Sequence, residues 1–414
     1  MLKIKICIIT GTRAEYGLFY PLLKSLKRDD DLCLQIVATG MHLSPEFGLT
    51  YKEIVKDGFR IDEKVEMLLD SDSETGISKS IGLGIIGFTD AFCRLKPHLV
   101  MILGDRFESF ASAVSAFVLR IPIAHIHGGE VTEGVIDDAL RHSITKMSFF
   151  HFTSTERYRK RVIQLGESPD RVFNVGALGL DNIKETGLLS KSEIEGELGF
   201  RFPLSSCPLP SEERVRVRGK TALVTYHPVT LEVNSSKQQF KKLLHALIEF
   251  KDLKVIFTKP NADMDTRVIT RLIDEYVRNN PEKAVSFQSL GRLRYLSAMR
   301  YIDIVIGNSS SGIIETPSFG KPTVNIGDRQ KGRIKAESVI DCRGEIGEIK
   351  AAIKKALSDR FQQFCKTVKN PYGDGRTSER IITILKDRLS RSISLKKGFF
   401  DIKTESINER YLYL

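Results

Sequence analysis

The chain predicts an α/β fold: two Rossmann-like domains, each a parallel sheet with crossover helices, facing each other across a central cleft. Three observations carry this. Short apolar runs alternate with segments of helical period along the chain, the pattern of βαβ units. At 414 residues the chain exceeds the length at which a single core stops growing, so two domains are expected. The polar, glycine-containing loops follow the ends of apolar runs, and open parallel sheets bind ligands at the carboxyl ends of their strands.

In the first half Lys3 to Ile9, Leu32 to Ala38, Leu99 to Leu103, Ile121 to Ile126, Phe149 to Thr153 and Val172 to Val175 read as strands, with Pro21 to Lys27 inside a helix. The polar stretch that follows contains Ser205-Ser-Cys-Pro-Leu-Pro-Ser211 and reads as a linker. A second strand set comprises Thr221 to Thr225, Leu253 to Phe257, Ala284 to Phe287, Ile302 to Ile306 and Thr323 to Ile326. The expected partition is therefore a first domain over 1–180, a linker region over 181–220, a second domain over 221–377, and a C-terminal helix and charged tail over 378–414.

Apolar content of 41% with 28% charged residues is that of an ordinary soluble globular chain and excludes the fibrous and disordered classes. No apolar run reaches transmembrane length, and the N-terminus runs into a strand rather than a cleavage site, so a cytoplasmic protein without a membrane partner is expected. Cys7, Cys33, Cys93, Cys207, Cys342 and Cys365 are dispersed without a CxxC pair and read as buried, reduced thiols. The net charge of +11 is spread through amphipathic helices without basic blocks, so no nucleic-acid partner is expected. Arginines committed to a phosphorylated small molecule account for part of it.

The segment Tyr301 to Gly327 is the most informative. An apolar strand runs into Gly307-Asn308-Ser309-Ser310-Ser311-Gly312, and a helix starts near Ile313 and stops before Pro317. Such a loop offers backbone N–H groups, serine hydroxyls and the positive end of a helix dipole to an anion, or it simply caps the helix. Glu315 is itself negative and is better suited to accept hydrogen bonds from ribose hydroxyls. The pair describes a nucleotide seat.

Other loops fall at the same edge. After the first strand, Gly11-Thr12-Arg13 places a guanidinium at a helix mouth. Gly104-Asp105-Arg106 supplies an acid and a base that either cap the next helix or meet a ligand, Asp105 doing proton work and Arg106 holding phosphate. His125 to His142 gathers His125, His127, Glu130, Asp137 and Asp138 around Gly128-Gly129, a density of acids and imidazoles suited to proton transfer. His125 and His127 also have a zinc-ligand spacing, but no cysteine lies near and no HExxH motif occurs, so no metal is assigned. His227, Asn261 and Arg329 follow strands of the second half.

Taken together, GTRAEYG from Gly11, TGMH at 39–42, LGDR at 103–106, HIHGGE at 125–130, DDALRHSITKMS at 137–148, HPVT at 227–230, GNSSSG at 307–312 and GDRQKGR at 327–333 resemble one family. They are similar, in order and spacing over about residues 4 to 385, to the hydrolysing UDP-N-acetylglucosamine 2-epimerases of bacterial sialic acid synthesis. The resemblance implies a glycosyltransferase-B type fold with the C-terminal helix crossing back to the first domain. It also implies a UDP-sugar substrate, no cofactor, and a homo-oligomer.

The implied reaction eliminates UDP across C1 and C2 of the sugar to give 2-acetamidoglucal, then adds water to give free N-acetylmannosamine. Asp105 and Asp137 carry over as catalytic carboxylates. Family members commonly have glutamate at the position of His127, so His127 and Glu130 are the candidates for that acid or base, with Asp138 beside them. Arg13, Arg106, His227, Ser309, Ser310 and the Gly312 turn would meet the diphosphate, Glu315 the ribose, and Arg329 and Asn261 would support the nucleotide. The same reaction on UDP-2,4-diacetamido-2,4,6-trideoxyglucose is the alternative, with UDP-N-acetylglucosamine favoured on family frequency. A glycosyltransferase of the same fold is a reading of another class, and the carboxylate-rich segment argues against it.

Overall fold

The computed structural model describes residues 3–69, 73–132, 136–203, 219–228, 235–260, 266–390 and 394–402. In the first half the strands are β1 (Ile4–Thr10), β2 (Leu32–Thr39), β3 (Glu63–Val65), β4 (Leu99–Leu103), β5 (Ile123–Ile126), β6 (Phe150–Thr153) and β7 (Val172–Asn174). They form one sheet in the order β3-β2-β1-β4-β5-β6-β7, with every pairing parallel. The second half contributes β8 (Lys220–Thr225), β9 (Leu253–Thr258), β10 (Ala284–Phe287), β11 (Ile304–Gly307), β12 (Thr323–Ile326) and β13 (Val339–Cys342). Their order is β10-β9-β8-β11-β12-β13, again all parallel.

Both faces of each sheet are covered, which is why β4 and β11 are buried at every residue and read as unbroken apolar runs. In the first half Ile6, Phe19, Leu22 and Met101 pack on one face, while Cys7, Val37, Phe88 and Val100 pack on the other. The second half repeats this with Val224, Phe240 and Ile353 against Leu223, Ile256 and Met299. The edge strands β3 and β13 escaped the sequence reading because they are short and partly exposed, so they carry no apolar run.

One stretch differs from expectation. Lys191–Leu198 is a helix with a Ser190–Glu193 capping box, inside the stretch expected to be linker. Ile194 and Leu198, with Phe200 and Phe202, pack on the core of the second half, so the polar composition of that stretch reflects only its outer face. The serine- and proline-rich part of the expected linker, with Cys207, lies outside the described residues. Of the other thiols, Cys7 and Cys365 are buried, Cys33 and Cys342 are half-buried, and Cys93 is exposed on its helix rather than buried.

The helix Thr377–Leu389 returns to the first half, where Ile381 and Leu385 join its core. Its first turn is capped by Asp181, whose two carboxylate oxygens accept from Thr377 N at 2.9 Å and Ser378 N at 2.6 Å. The chain thus completes the helical cover of its first sheet only after it has built its second sheet.

Candidate active site

In each sheet the order reverses once, between β1 and β4 in the first and between β8 and β11 in the second. Ligands of open parallel sheets bind at such switch points. The loops after these four strands carry Arg13, Asp105 and Arg106, His227, and Ser309 and Ser310, and all six residues line one cleft of about 330 Å³ between the halves. Asp137, Glu315 and Arg329 line it too.

On the second-half side, β11 ends at Gly307 with φ of +136°, where any Cβ would run into the Thr225 carbonyl, so only glycine allows the turn. Asn308 then welds two loops together. Its Oδ1 accepts from His227 N at 2.7 Å and its Nδ2 donates to His227 O at 2.8 Å. Its carbonyl accepts from Arg329 Nη1 at 3.1 Å and Gln330 Nε2 at 2.8 Å. Ser309 is the N-cap of the helix Ser310–Ile314 with an extended backbone, and its hydroxyl makes no capping bond. The helix starts three residues earlier than expected, and the chain continues through Pro317 as the 3₁₀ turn Thr316–Phe319.

Glu315 closes that short helix and is buried, with Oε2 lacking any hydrogen-bond partner. Burial pushes its carboxyl up to about 7, against a bond from the Ser311 side chain that favours the charged form.

On the first-half side, Thr12 and Glu15 form a capping box that starts the helix Arg13–Arg28. Arg13 Nε donates to Glu53 Oε2 of its own half at 2.6 Å, and its Nη1 reaches across the cleft to the Ser289 carbonyl at 2.8 Å. Arg106 is held by the buried carboxylate of Glu108, with Nε and Nη2 at 3.2 and 3.3 Å from its oxygens. His125 is a buried positioning ring: its Nε2 lies 2.7 Å from the Gly104 carbonyl, just before Asp105, and burial pushes its pKa down to about 3, so it is neutral.

Arg141 is the main residue the sequence reading missed. It is buried beneath the floor of the cleft and pairs with Asp105 through Nη2 and with Asp138 through Nη1 at 3.0 Å. It also donates to Glu130 O at 3.0 Å and Thr132 Oγ1 at 2.8 Å. A signal existed, because Arg141 stands four residues after Asp137 on one helix face within a quoted motif. Arg333, last residue of another quoted motif, was missed in the same way.

Four expected site residues do not line the cleft. Glu130 is buried, accepts from Ser154 Oγ at 2.8 Å and makes a close ion pair with Arg333 of the second half. His127, in a left-handed conformation with φ of +66°, turns toward Glu130, with Nδ1 3.4 Å from Oε1, and accepts from Leu178 N at 3.4 Å. Burial lowers its pKa and keeps the ring neutral. Asp138 braces the floor instead, accepting from Thr132 N at 2.7 Å as well as from Arg141. Gly312 packs against β12, and its N–H is spent on the Ser309 carbonyl at 3.2 Å. Asn261 lies outside the described residues.

Two Rossmann-like halves, with arginines and a serine-lined helix start facing carboxylates across one cleft, define the class as an enzyme of nucleotide-sugar chemistry. A model of the UDP-N-acetylglucosamine 2-epimerase family matches residues 24–386. The chain is 43% identical over 402 residues to a Campylobacter jejuni protein described as GDP/UDP-N,N'-diacetylbacillosamine 2-epimerase (hydrolyzing), covering 97% of this chain and 100% of that one. It is 37% identical over 382 residues to the UDP-N,N'-diacetylbacillosamine 2-epimerase (hydrolyzing) of Legionella pneumophila, covering 92% of this chain and 95% of that one. The fold matches the crystal structure of UDP-GlcNAc 2-epimerase from Neisseria meningitidis bound to UDP-GlcNAc at a TM-score of 0.75 and 19% identity, over 93% of this chain and 100% of the other. The chain belongs to the UDP-N-acetylglucosamine 2-epimerase family, as a hydrolysing nucleotide-sugar 2-epimerase.

Proposed function

We propose that the protein converts a UDP-2,4-diacetamido-2,4,6-trideoxyhexose of the N,N'-diacetylbacillosamine type, with water, into UDP and the free 2-epimer. The observation that carries the reaction is the meeting in one cleft of Asp105 and Asp137 from the first half with Ser309, Ser310 and Arg329 from the second. The choice of sugar rests on the activity by which the Campylobacter and Legionella relatives are described, and it replaces the preference for UDP-N-acetylglucosamine drawn from family frequency.

In this reading the C1–O bond breaks with its electron pair leaving on the diphosphate, while a carboxylate takes the proton from C2 and C1=C2 forms. C2–H is a weak acid, so stabilising the departing diphosphate drives the step. Arg13, Arg106, Arg329 and the serine loop supply that stabilisation. Water then adds to C1 as C2 is reprotonated from the opposite face, which calls for a second proton-carrying group. Asp105, oriented by Arg141, and Asp137, on the helix that carries Arg141, are those two groups.

The test is incubation in heavy water with each of the two candidate sugars and no acceptor. UDP release with one deuterium at C2 of the free product is expected, with a higher kcat/KM on the diacetamido sugar. UDP release without deuterium at C2 would reduce the reaction to simple hydrolysis, and dependence on an acceptor would make it a transferase. A higher kcat/KM on UDP-N-acetylglucosamine would return the sugar assignment to that compound.

A further inference from the structure

Asn182 lies on the helix Leu178–Glu185 of the first half, is 2% exposed, and lines the same cleft as Glu315. One half of its amide has a structural explanation. Pro21 sits inside the helix Arg13–Arg28 and has no N–H to give to the carbonyl four residues back, that of Gly17. Asn182 Nδ2 donates to that carbonyl at 2.7 Å in its place. This bond fixes which way the amide faces, and the other half, Oδ1, is buried without a hydrogen-bond partner.

A second orphan acceptor belongs to the same cleft lining. Glu315 Oε2, from the second half, is likewise buried and without a partner. The two elements are in intimate contact, because a Cβ on Gly179 would collide with Glu315 Oε1. Gly179 is three residues before Asn182, so both lie on the helix face turned to Glu315. Two buried acceptors lining one cleft from the two halves, each lacking a donor, match a ligand with two adjacent O–H donors, because an unsatisfied buried acceptor costs free energy that such a ligand returns.

We propose that Asn182 is a second hydroxyl-reading residue, which with Glu315 grips a vicinal diol, the ribose 2′- and 3′-hydroxyls of the nucleotide, from both halves at once. The assignment of the diol to ribose rests on the nucleotide-sugar reading above. The new element is the contribution of the first half to holding the nucleoside, which ties nucleotide affinity to the approach of the two halves.

The experiment is a ligand-by-mutant cycle in which calorimetry measures UDP and 2′,3′-dideoxy-UDP binding to the wild type, Asn182→Ala and Asn182→Asp. The wild type should favour UDP, and Asn182→Ala should shrink that preference by about three- to tenfold, the worth of one neutral hydrogen bond. Asn182→Asp keeps acceptor oxygens on the same stem and should retain the preference, even if it binds both nucleotides more weakly. It also preserves the test should the alanine variant fail to fold. Equal weakening of both nucleotides by Asn182→Ala, or loss of the preference in a folded Asn182→Asp, would leave Asn182 as the helix brace for Gly17 and overturn the proposal. A wild-type protein that binds neither nucleotide would overturn the nucleotide-sugar reading itself, and the seat with it.

Discussion

Replacing Glu130 by glutamine separates a catalytic acid from a clasp between the two halves. In the structure its carboxylate pairs closely with Arg333 and accepts from Ser154 Oγ at 2.8 Å, away from the cleft lining. Glutamine keeps the shape but leaves the Arg333 guanidinium, only 7% exposed, as a buried cation without its counter-charge. Removing one partner of a buried pair costs about 3–5 kcal/mol. With an unfolding entropy of about 2.1 cal/mol/K per residue, a chain of 414 residues has roughly 0.9 kcal/mol/K, so Tm should fall by about 3–6 °C. Scanning calorimetry reads this, and adding Arg333→Met should recover much of the loss, since an apolar replacement of a whole buried pair is often close to neutral. Turnover should fall only modestly. A loss of about 10²–10⁴ in kcat, the usual effect of removing a general acid or base, with Tm unchanged would refute the clasp and restore Glu130 to the chemistry.

Asp105→Asn should lower turnover by about 10²–10⁴ while UDP affinity by calorimetry stays within roughly threefold, since the proton carrier is lost and the nucleotide seat is not; parallel loss of both would make Asp105 structural. Burial holds the Glu315 carboxyl near 7 against an ordinary 4.5, with Glu130 adding to the shift and the Ser311 side chain and Arg333 opposing it. The native state therefore binds more protons than the unfolded chain between those values, and stability falls as pH rises through that window, by about 3 kcal/mol in all at roughly 1.4 kcal/mol per unit. Glu315→Gln should remove that share of the slope in urea titrations run from pH 4.5 to 7.5, and an unchanged slope would contradict the buried, donor-poor carboxyl.

The central strands were legible in the sequence because a parallel sheet covered on both faces demands unbroken apolar runs, as in Leu99–Leu103 and Ile304–Gly307. The cleft was legible because the loops at the switch points carry residue types that a buried strand cannot. What spacing could not convey is the direction of a side chain. Asp137 and Asp138 are neighbours on one helix, yet a rotation of about 100° between successive residues sends the first to the cleft and the second to Arg141. His127 and Glu130 look like chemistry in a glycine-rich loop. Instead Glu130 pairs with Arg333, some two hundred residues away, and the His127 ring turns toward the same carboxylate. A local motif carries the residues that do the work and the residues that hold the two halves in register with the same spelling. Only the approach of one half to the other sorts them: Asp105 and Asp137 line the cleft, while Glu130 pairs with Arg333 away from it.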